Sequence, residues 1–296
     1  MMIRLSRRGS EALLAAVIVA RSTSLLLLKL GLADMGTFTL MALRFTTAGA
    51  ILLLLFHRRI RAAGRAAALR GMAIGAVFFA VLASESTALR FTATSTTSFL
   101  ENTAVVIVPL LLAAFTRRAP GAVTMLSAAL SVAGVALLTL RSGVGGFGLG
   151  ECICVLTALL YACAIITTDR MSHSGCDTLA MGIAQVCTIA VLAWAAALIF
   201  EEPTLPARAR DWGIILALAV VCTVFGFTLQ PVAQSGTTAE RAAMFCALSP
   251  LSASALGVIF LDEQLGLAGV CGAALILCGI LLPNILALRH RPTNGA

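Results

Sequence analysis

Ten runs of about 20 mostly apolar residues follow one another with short connections, each long enough to cross a ~30 Å hydrocarbon core. They lie at roughly 10–30, 36–56, 71–89, 93–115, 120–140, 149–168, 178–200, 212–231, 239–260 and 264–286. In lipid the backbone finds no water to bond, so runs of this length are expected as helices. The predicted fold class is all-α integral membrane with ten transmembrane helices. Composition agrees: 60% hydrophobic residues, 11% charged and a mean hydropathy of +1.02 leave too little polar surface to cover a water-soluble globule.

The fifth and tenth runs are related. Gly121, Ala128, Ala129, Leu130, Gly134 and Leu137 recur 145 positions later as Gly266, Ala273, Ala274, Leu275, Gly279 and Leu282. Just upstream the charges reverse, from Arg117-Arg118 to Asp262-Glu263. Cytoplasmic loops collect Lys and Arg, so a copied span whose flank changes sign is expected where the two copies face opposite ways. Five spans per copy is an odd number, which forces the second copy to enter upside down. The chain reads as two inverted five-helix repeats, 1–142 and 143–296. Gly145-Gly146-Phe147-Gly148 between them has no following Lys-Ser/Thr, so it reads as a connector and not as a phosphate loop.

The net charge of +8 raises the question of nucleic acid, and the distribution of the 21 basic residues answers it. With the N-terminus inside, fourteen fall in cytoplasmic segments: Arg4, Arg7, Arg8, Arg58, Arg59, Arg61, Arg65, Arg70, Arg117, Arg118, Arg170, Arg241, Arg289 and Arg291. Arg90, Arg141, Arg208 and Arg210 fall in outer loops, and Arg21, Lys29 and Arg44 lie within or at the end of spans. This is a topology signal, not a nucleic-acid patch. It predicts a multi-pass protein of the inner (plasma) membrane with both termini cytoplasmic. The first span carries Arg21 in its middle and lacks a small-residue cleavage site, so it is expected to be retained. All nine cysteines follow residue 150 and the three histidines are at 57, 173 and 290, a set that offers no metal site.

Four charges stand inside apolar spans: Arg21, Arg44, Glu85 and Glu101. Each costs at least ~2.5–3.5 kcal/mol there if unpaired, so they must be paired or wet. Counting ~1.5 Å per residue from the predicted outer ends puts Glu85 about 6 Å deep, Arg44 and Glu101 about 12 Å and Arg21 about 14 Å. They are expected to share one cavity in the outer half of the membrane. Around Glu101 the run Thr94-Ser95-Thr96-Thr97-Ser98-Phe99-Leu100-Glu101-Asn102-Thr103 is too hydroxyl-rich to face lipid and should line the interior, which adds Asn102. Repeat shifts of 141 and 145 carry Arg44 onto Gln185 and Glu85 onto Gln230, amides that complete an asymmetric site. Tyr161 lies mid-span, and its hydroxyl needs a partner. Gln230-Pro231 offers a loosened helix, Glu240-Arg241 an interfacial pair, and Trp194 and Trp212 an outer aromatic belt. Arginine suits a carboxylate and a membrane glutamate suits an ammonium or a proton, so the four charges fit a zwitterion. The competing reading is that they pair with one another and lock helices.

The segment Ala233-x-x-Gly236, Ser249-Pro250, Leu261-Asp262-Glu263-Gln264-Leu265 and Gly272-Ala273-Ala274-Leu275-Ile276-Leu277-Cys278-Gly279 resembles the end of an EamA domain of the drug/metabolite transporter superfamily. Lys29-Leu30-Gly31-Leu32 and Ala42-Leu43-Arg44-Phe45 resemble the start of one. Two departures stand out. Arg117-Arg118 replaces the Gly-Glu of many first domains, and Val105 stands where the repeat has Pro250, with Pro109 four residues on, so a kink in the fourth span is expected to be displaced. The resemblance implies a secondary transporter, not an enzyme, that exports small organic metabolites, amino acids or related compounds, by alternating access. The alternatives are an organic-cation or drug exporter and a lipid-carrier flippase. A membrane-embedded enzyme would have only Glu85 and Glu101 for its chemistry. No cofactor is expected, proton coupling rests on the buried glutamates, and the partners are a small-molecule substrate and membrane lipid, in a monomer or homodimer.

Overall fold

The structure, a computed structural model, describes residues 7–117, 121–139, 148–172, 176–226, 248–264 and 266–289. Among them every regular element is a helix. α1 is Arg7–Gly31, α2 Thr37–Ala88, α3 Thr94–Asn102, α4 Ala104–Thr116 and α5 Ala122–Thr139. α6 is Leu149–Ser172, α7 Thr178–Phe200 and α8 Ala209–Ala217, which runs on as a π-helix over Leu218–Phe225; α9 is Leu248–Leu261 and α10 Gly266–Arg289. Among the described residues five stretches are long and apolar enough to cross a membrane, and the helical parts 122–137, 249–261 and 266–282 are shorter apolar ones.

The second and third expected spans are the two arms of α2, separated where the chain turns back. Phe56 (φ −119°, ψ 19°) and Gly64 (φ 76°, ψ 173°) leave helical geometry on either side of the arginine-rich turn. The positive φ at Gly64 is one that only glycine adopts without strain. The arms return close to each other, because Arg90 Nε, just past the end of α2, donates to Thr37 Oγ1 near its start at 2.7 Å.

The fourth span runs over Thr94–Phe115, and its backbone stays right-handed at Thr103 (φ −62°, ψ −16°), where one turn tightens between α3 and α4; Pro109 sits inside α4. Asn102 Nδ2 donates to Ser98 O at 2.8 Å and Thr103 Oγ1 to Leu100 O at 2.6 Å. Side chains that bond the preceding turn's carbonyls compete with the helical ladder, and these two flank the tightened turn.

α7 packs along both arms of α2. Met41, Phe45, Ala48 and Leu52 meet Ile183, Val186, Ile189 and Ala193 on one arm. On the other, Gly71 and Gly75 let the α7 backbone approach, Gln185 O lying 2.9 Å from where a Cβ on Gly75 would stand. α5 and α10 cross at repeat-equivalent glycines: a Cβ on Gly134 would come within 2.6 Å of Gly272 O, and one on Gly279 within 2.8 Å of Ser127 O. The copied small residues therefore pack within the chain, with backbones in close approach. The turn before each copy also repeats in shape. Arg117 (φ 52°) and Asp262 (φ 51°), 145 positions apart, are the non-glycine residues with left-handed backbone among the described ones.

Candidate functional site

The π-helix gathers two of the four intramembrane charges. A π-turn widens the ladder by one residue, and Thr223 Oγ1 uses it to donate to Leu218 O, five residues back, at 3.0 Å. The same Thr223 oxygen accepts from Arg44 Nε at 3.1 Å. Arg44 is buried, and its guanidinium lies 5.0 Å from the centroid of the Phe45 ring. Cys222, one residue earlier, donates its thiol to Ala20 O on α1 at 3.6 Å. That contact brings the neighbouring Arg21 against the end of the π-helix, where a Cβ on Gly226 would meet Arg21 Cδ at 3.0 Å. Arg21 itself is exposed.

The carboxylates join this pair. Glu85 is buried near the end of α2 and interacts electrostatically with Arg44 and Arg21. Glu101, half-buried near the end of α3, interacts with Glu85 and Arg21. Beside Glu85, Thr157 Oγ1 of α6 donates to Ser84 Oγ at 2.9 Å, fixing α2 to α6. Charges of both signs from α1, α2 and α3 thus stand together.

The other expected residues lie variously. Asn102 turns its amide to its own helix, beside the tightened turn at Thr103. Tyr161 is half-buried on α6 and meets Phe78 edge-on with ring centroids 6.1 Å apart. Gln185 is buried at the crossing of α2 and α7. Gln230-Pro231 and Glu240-Arg241 lie outside the described residues. Trp212 is 38% exposed and donates Nε1 to Pro206 O at 3.0 Å, whereas Trp194 is a packing residue that donates to Thr46 Oγ1 of α2 at 2.9 Å. The sequence reading passed over Thr223, Cys222, Phe45 and the Ser84–Thr157 bond. A lone hydroxyl in the apolar run 217–225 was the one signal available.

A second polar region forms one face of the protein, here called the glutamate face. Glu201, after the last turn of α7, accepts from Phe38 N at 3.0 Å, Thr39 N at 2.9 Å and Thr39 Oγ1 at 2.8 Å, at the start of α2. Glu263 accepts from Thr94 N at 2.6 Å, from Ser95 N at 3.0 Å and from Ser95 Oγ, at the start of α3. Thr92 Oγ1 donates to Glu151 Oε1 at 2.9 Å, and Lys29 Nζ donates to Leu89 O and to Thr92 O. At the other end of α7 lies the arginine face. There Arg59 Nε meets Asp177 Oδ2 at 2.6 Å, while Leu179 N and Ala180 N donate to Asp177 Oδ1 at 3.0 and 3.2 Å.

Residues 10–140 and 148–285 each match the EamA-like transporter family. No curated protein matches the chain by sequence. A solved structure described only as the crystal structure of a protein superposes with a TM-score of 0.66 at 20% identity, covering 96% of this chain and 99% of that one. A likeness at that identity is one of fold.

Proposed function

From the premise that this chain belongs to the EamA-like transporter family, and is thus a multi-pass membrane transporter of the drug/metabolite type, we propose that it exports amino acids or closely related zwitterions by alternating access. Ten helices in two inverted repeats, 1–142 and 143–296, would surround the site, with the arginine face and both termini in the cytoplasm and the protein in the plasma (inner) membrane. The observation behind this reading is the electrostatic interaction among Arg21, Arg44, Glu85 and Glu101 within the apolar helices. With its Nε held by Thr223, the Arg44 guanidinium presents its two terminal nitrogens as a fork for a substrate carboxylate. Arg21 adds a second positive charge, while Glu85 and Glu101 receive the ammonium. Between substrates a carboxylate must neutralise or stay wet, which makes Glu101 the expected proton carrier.

Counterflow of labelled amino acids in proteoliposomes tests the reading. Saturable exchange of at least one amino acid is expected, reduced about 10-fold or more in Arg44→Lys, whose point charge replaces a planar fork. Flux should respond to an imposed pH gradient in the parent and lose that response in Glu101→Gln. Exchange of an organic cation with no amino-acid flux would replace the substrate assignment. Gradient-independent flux, unchanged in Glu101→Gln, would remove the proton.

A further inference from the structure

Two of the helices that start on the glutamate face, α2 and α3, lack a cap of their own. The residues before their first turns are Gly36 and Ala93, and neither supplies a side-chain bond. The first backbone N–H groups of a helix have no partner within it, so something else must meet them. Two glutamates more than 160 positions away in sequence do so, each taking two N–H groups and one hydroxyl. Each is let in by a glycine. A Cβ on Gly36 would overlap Glu201 Oε2, and one on Gly257 of α9 would stand 2.5 Å from Glu263 Oε2.

The two caps differ in what they hold. Glu201 ties α7 to α2, which are packed together along their length. Glu263 ties the turn between α9 and α10 to α3, the nine-residue helix that ends at the tightened turn at Thr103 and carries Glu101. Beneath that cap, Thr94 Oγ1 and Ser98 Oγ are fully buried and have no hydrogen-bond partner among the described residues. Thr94, Ser98 and Glu101, at i, i+4 and i+7, form one stripe of α3. A buried hydroxyl without a partner is unfavourable, which favours a conformation that hydrates the stripe, while the bonds to Glu263 and the burial of Phe99 and Leu100 on the same helix oppose it.

We infer that Glu263 is a positioning residue that latches α3: its carboxylate closes the glutamate face over the Thr94–Ser98–Glu101 stripe, and release of that carboxylate opens the stripe to water from that face. Gly257 is part of the latch because any side chain there displaces the carboxylate. The left-handed turn at Asp262 aims the carboxylate at α3. The inference goes beyond the proposed substrate and stands apart from it, since its test needs no substrate and absent amino-acid flux leaves it intact.

The test is labelling of Ser98→Cys by a membrane-impermeant thiol reagent in sealed vesicles of each orientation, with modification at residue 98 read by peptide mass so that native cysteines do not interfere. Adding Glu263→Gln, or separately Gly257→Ala, is expected to raise the labelling rate about tenfold or more from the glutamate face alone; tenfold corresponds to about 1.4 kcal/mol in the open population. Glu263→Asp, which keeps the charge, should recover part of the slow labelling. Gly257→Ala sharpens the result because alanine in α9 ought otherwise to favour the helix. Rates within about twofold of the parent in folded Glu263→Gln and Gly257→Ala proteins would overturn the inference, as would equal increases from both faces. If Glu263→Gln does not fold, Gly257→Ala decides, and Ser95→Ala, which removes only the hydroxyl bond, decides if neither folds.

Discussion

α7 meets the first half of the chain at both of its ends, and the two junctions are repeat equivalents solved in different ways. A shift of 141 carries Gly36-Thr37 onto Asp177-Thr178, the starts of α2 and α7, and a shift of 142 carries Arg59 onto Glu201. At the glutamate face the helix start has a glycine and receives its cap from the other half, with Glu201 bonded to two backbone N–H groups and a hydroxyl. At the arginine face the helix start has its own cap, Asp177, and the other half contributes a cation that holds the cap. The first arrangement commits a half-buried charge to backbone groups that have no other partner. The second is an ion pair whose side chains are 58% and 24% exposed. Hydrogen bonds to charged groups contribute about 1.5–3 kcal/mol, whereas exposed ion pairs contribute about 0–1 kcal/mol. The junction at Glu201 is thus the stronger of the two and the one at Asp177 the weaker.

The largest effect that would break this contrast is at Glu201. Glu201→Ala removes the acceptor for three donors and is expected to destabilise by about 2–4 kcal/mol, seen as a lower thermal unfolding midpoint in detergent. Its neighbour Glu202 is exposed, and Glu202→Ala should stay within about 0.5 kcal/mol of the parent. Equal effects of the two substitutions would remove the difference between the faces. A smaller change is expected at the other junction. Arg59→Ala leaves the bonds from Leu179 and Ala180 to Asp177 in place and should cost about 0–1 kcal/mol by the same unfolding measurement. A cost matching that of Glu201→Ala would mean that the arginine face is held as firmly as the glutamate face.

The helices and the four intramembrane charges were legible in the sequence because both have a large local cost attached. An apolar run of 20 residues has few alternatives to a membrane helix, and Arg21, Arg44, Glu85 and Glu101 stand out against such runs. The repeat was legible at Gly134 and Gly279 for a similar reason, since close backbone approach admits few residue types. What escaped depends on distant partners or on side-chain competition with the backbone. The tightened turn at Thr103 goes with side chains that bond carbonyls one turn back, while the sequence pointed to Pro109. The π-helix that brings Thr223 to Arg44 needs one extra residue per turn, and no residue type announces it. The caps at Gly36 and Ala93 could not be read locally, because the acceptors arrive from Glu201 and Glu263, 162 positions after the donor Thr39 and 169 after the donor Thr94.

The smallest expected effect gives the comparison a pH signature. At Asp177 burial pushes the carboxyl pKa upward, but the hydrogen bond from Arg59 and those from the Ala180 and Leu179 N–H groups outweigh it and hold the pKa below the usual carboxylate range. A group whose folded pKa is depressed binds its proton more readily in the unfolded chain. Its contribution is therefore fully present above the ordinary aspartate value of about 3.9 and disappears as pH falls through the folded value. Asp177→Asn keeps an oxygen for Leu179 N and Ala180 N while losing the charge opposite Arg59. The stability difference between parent and Asp177→Asn should be at most about 1 kcal/mol near pH 7, because Arg59 is exposed and screened. It should shrink in about 1 M salt, where the Debye length falls to about 3 Å, and vanish in acid below the folded value. A difference that grows as pH falls would mean that Asp177 is held in its neutral form, and the arginine face would then be closed by something other than this ion pair.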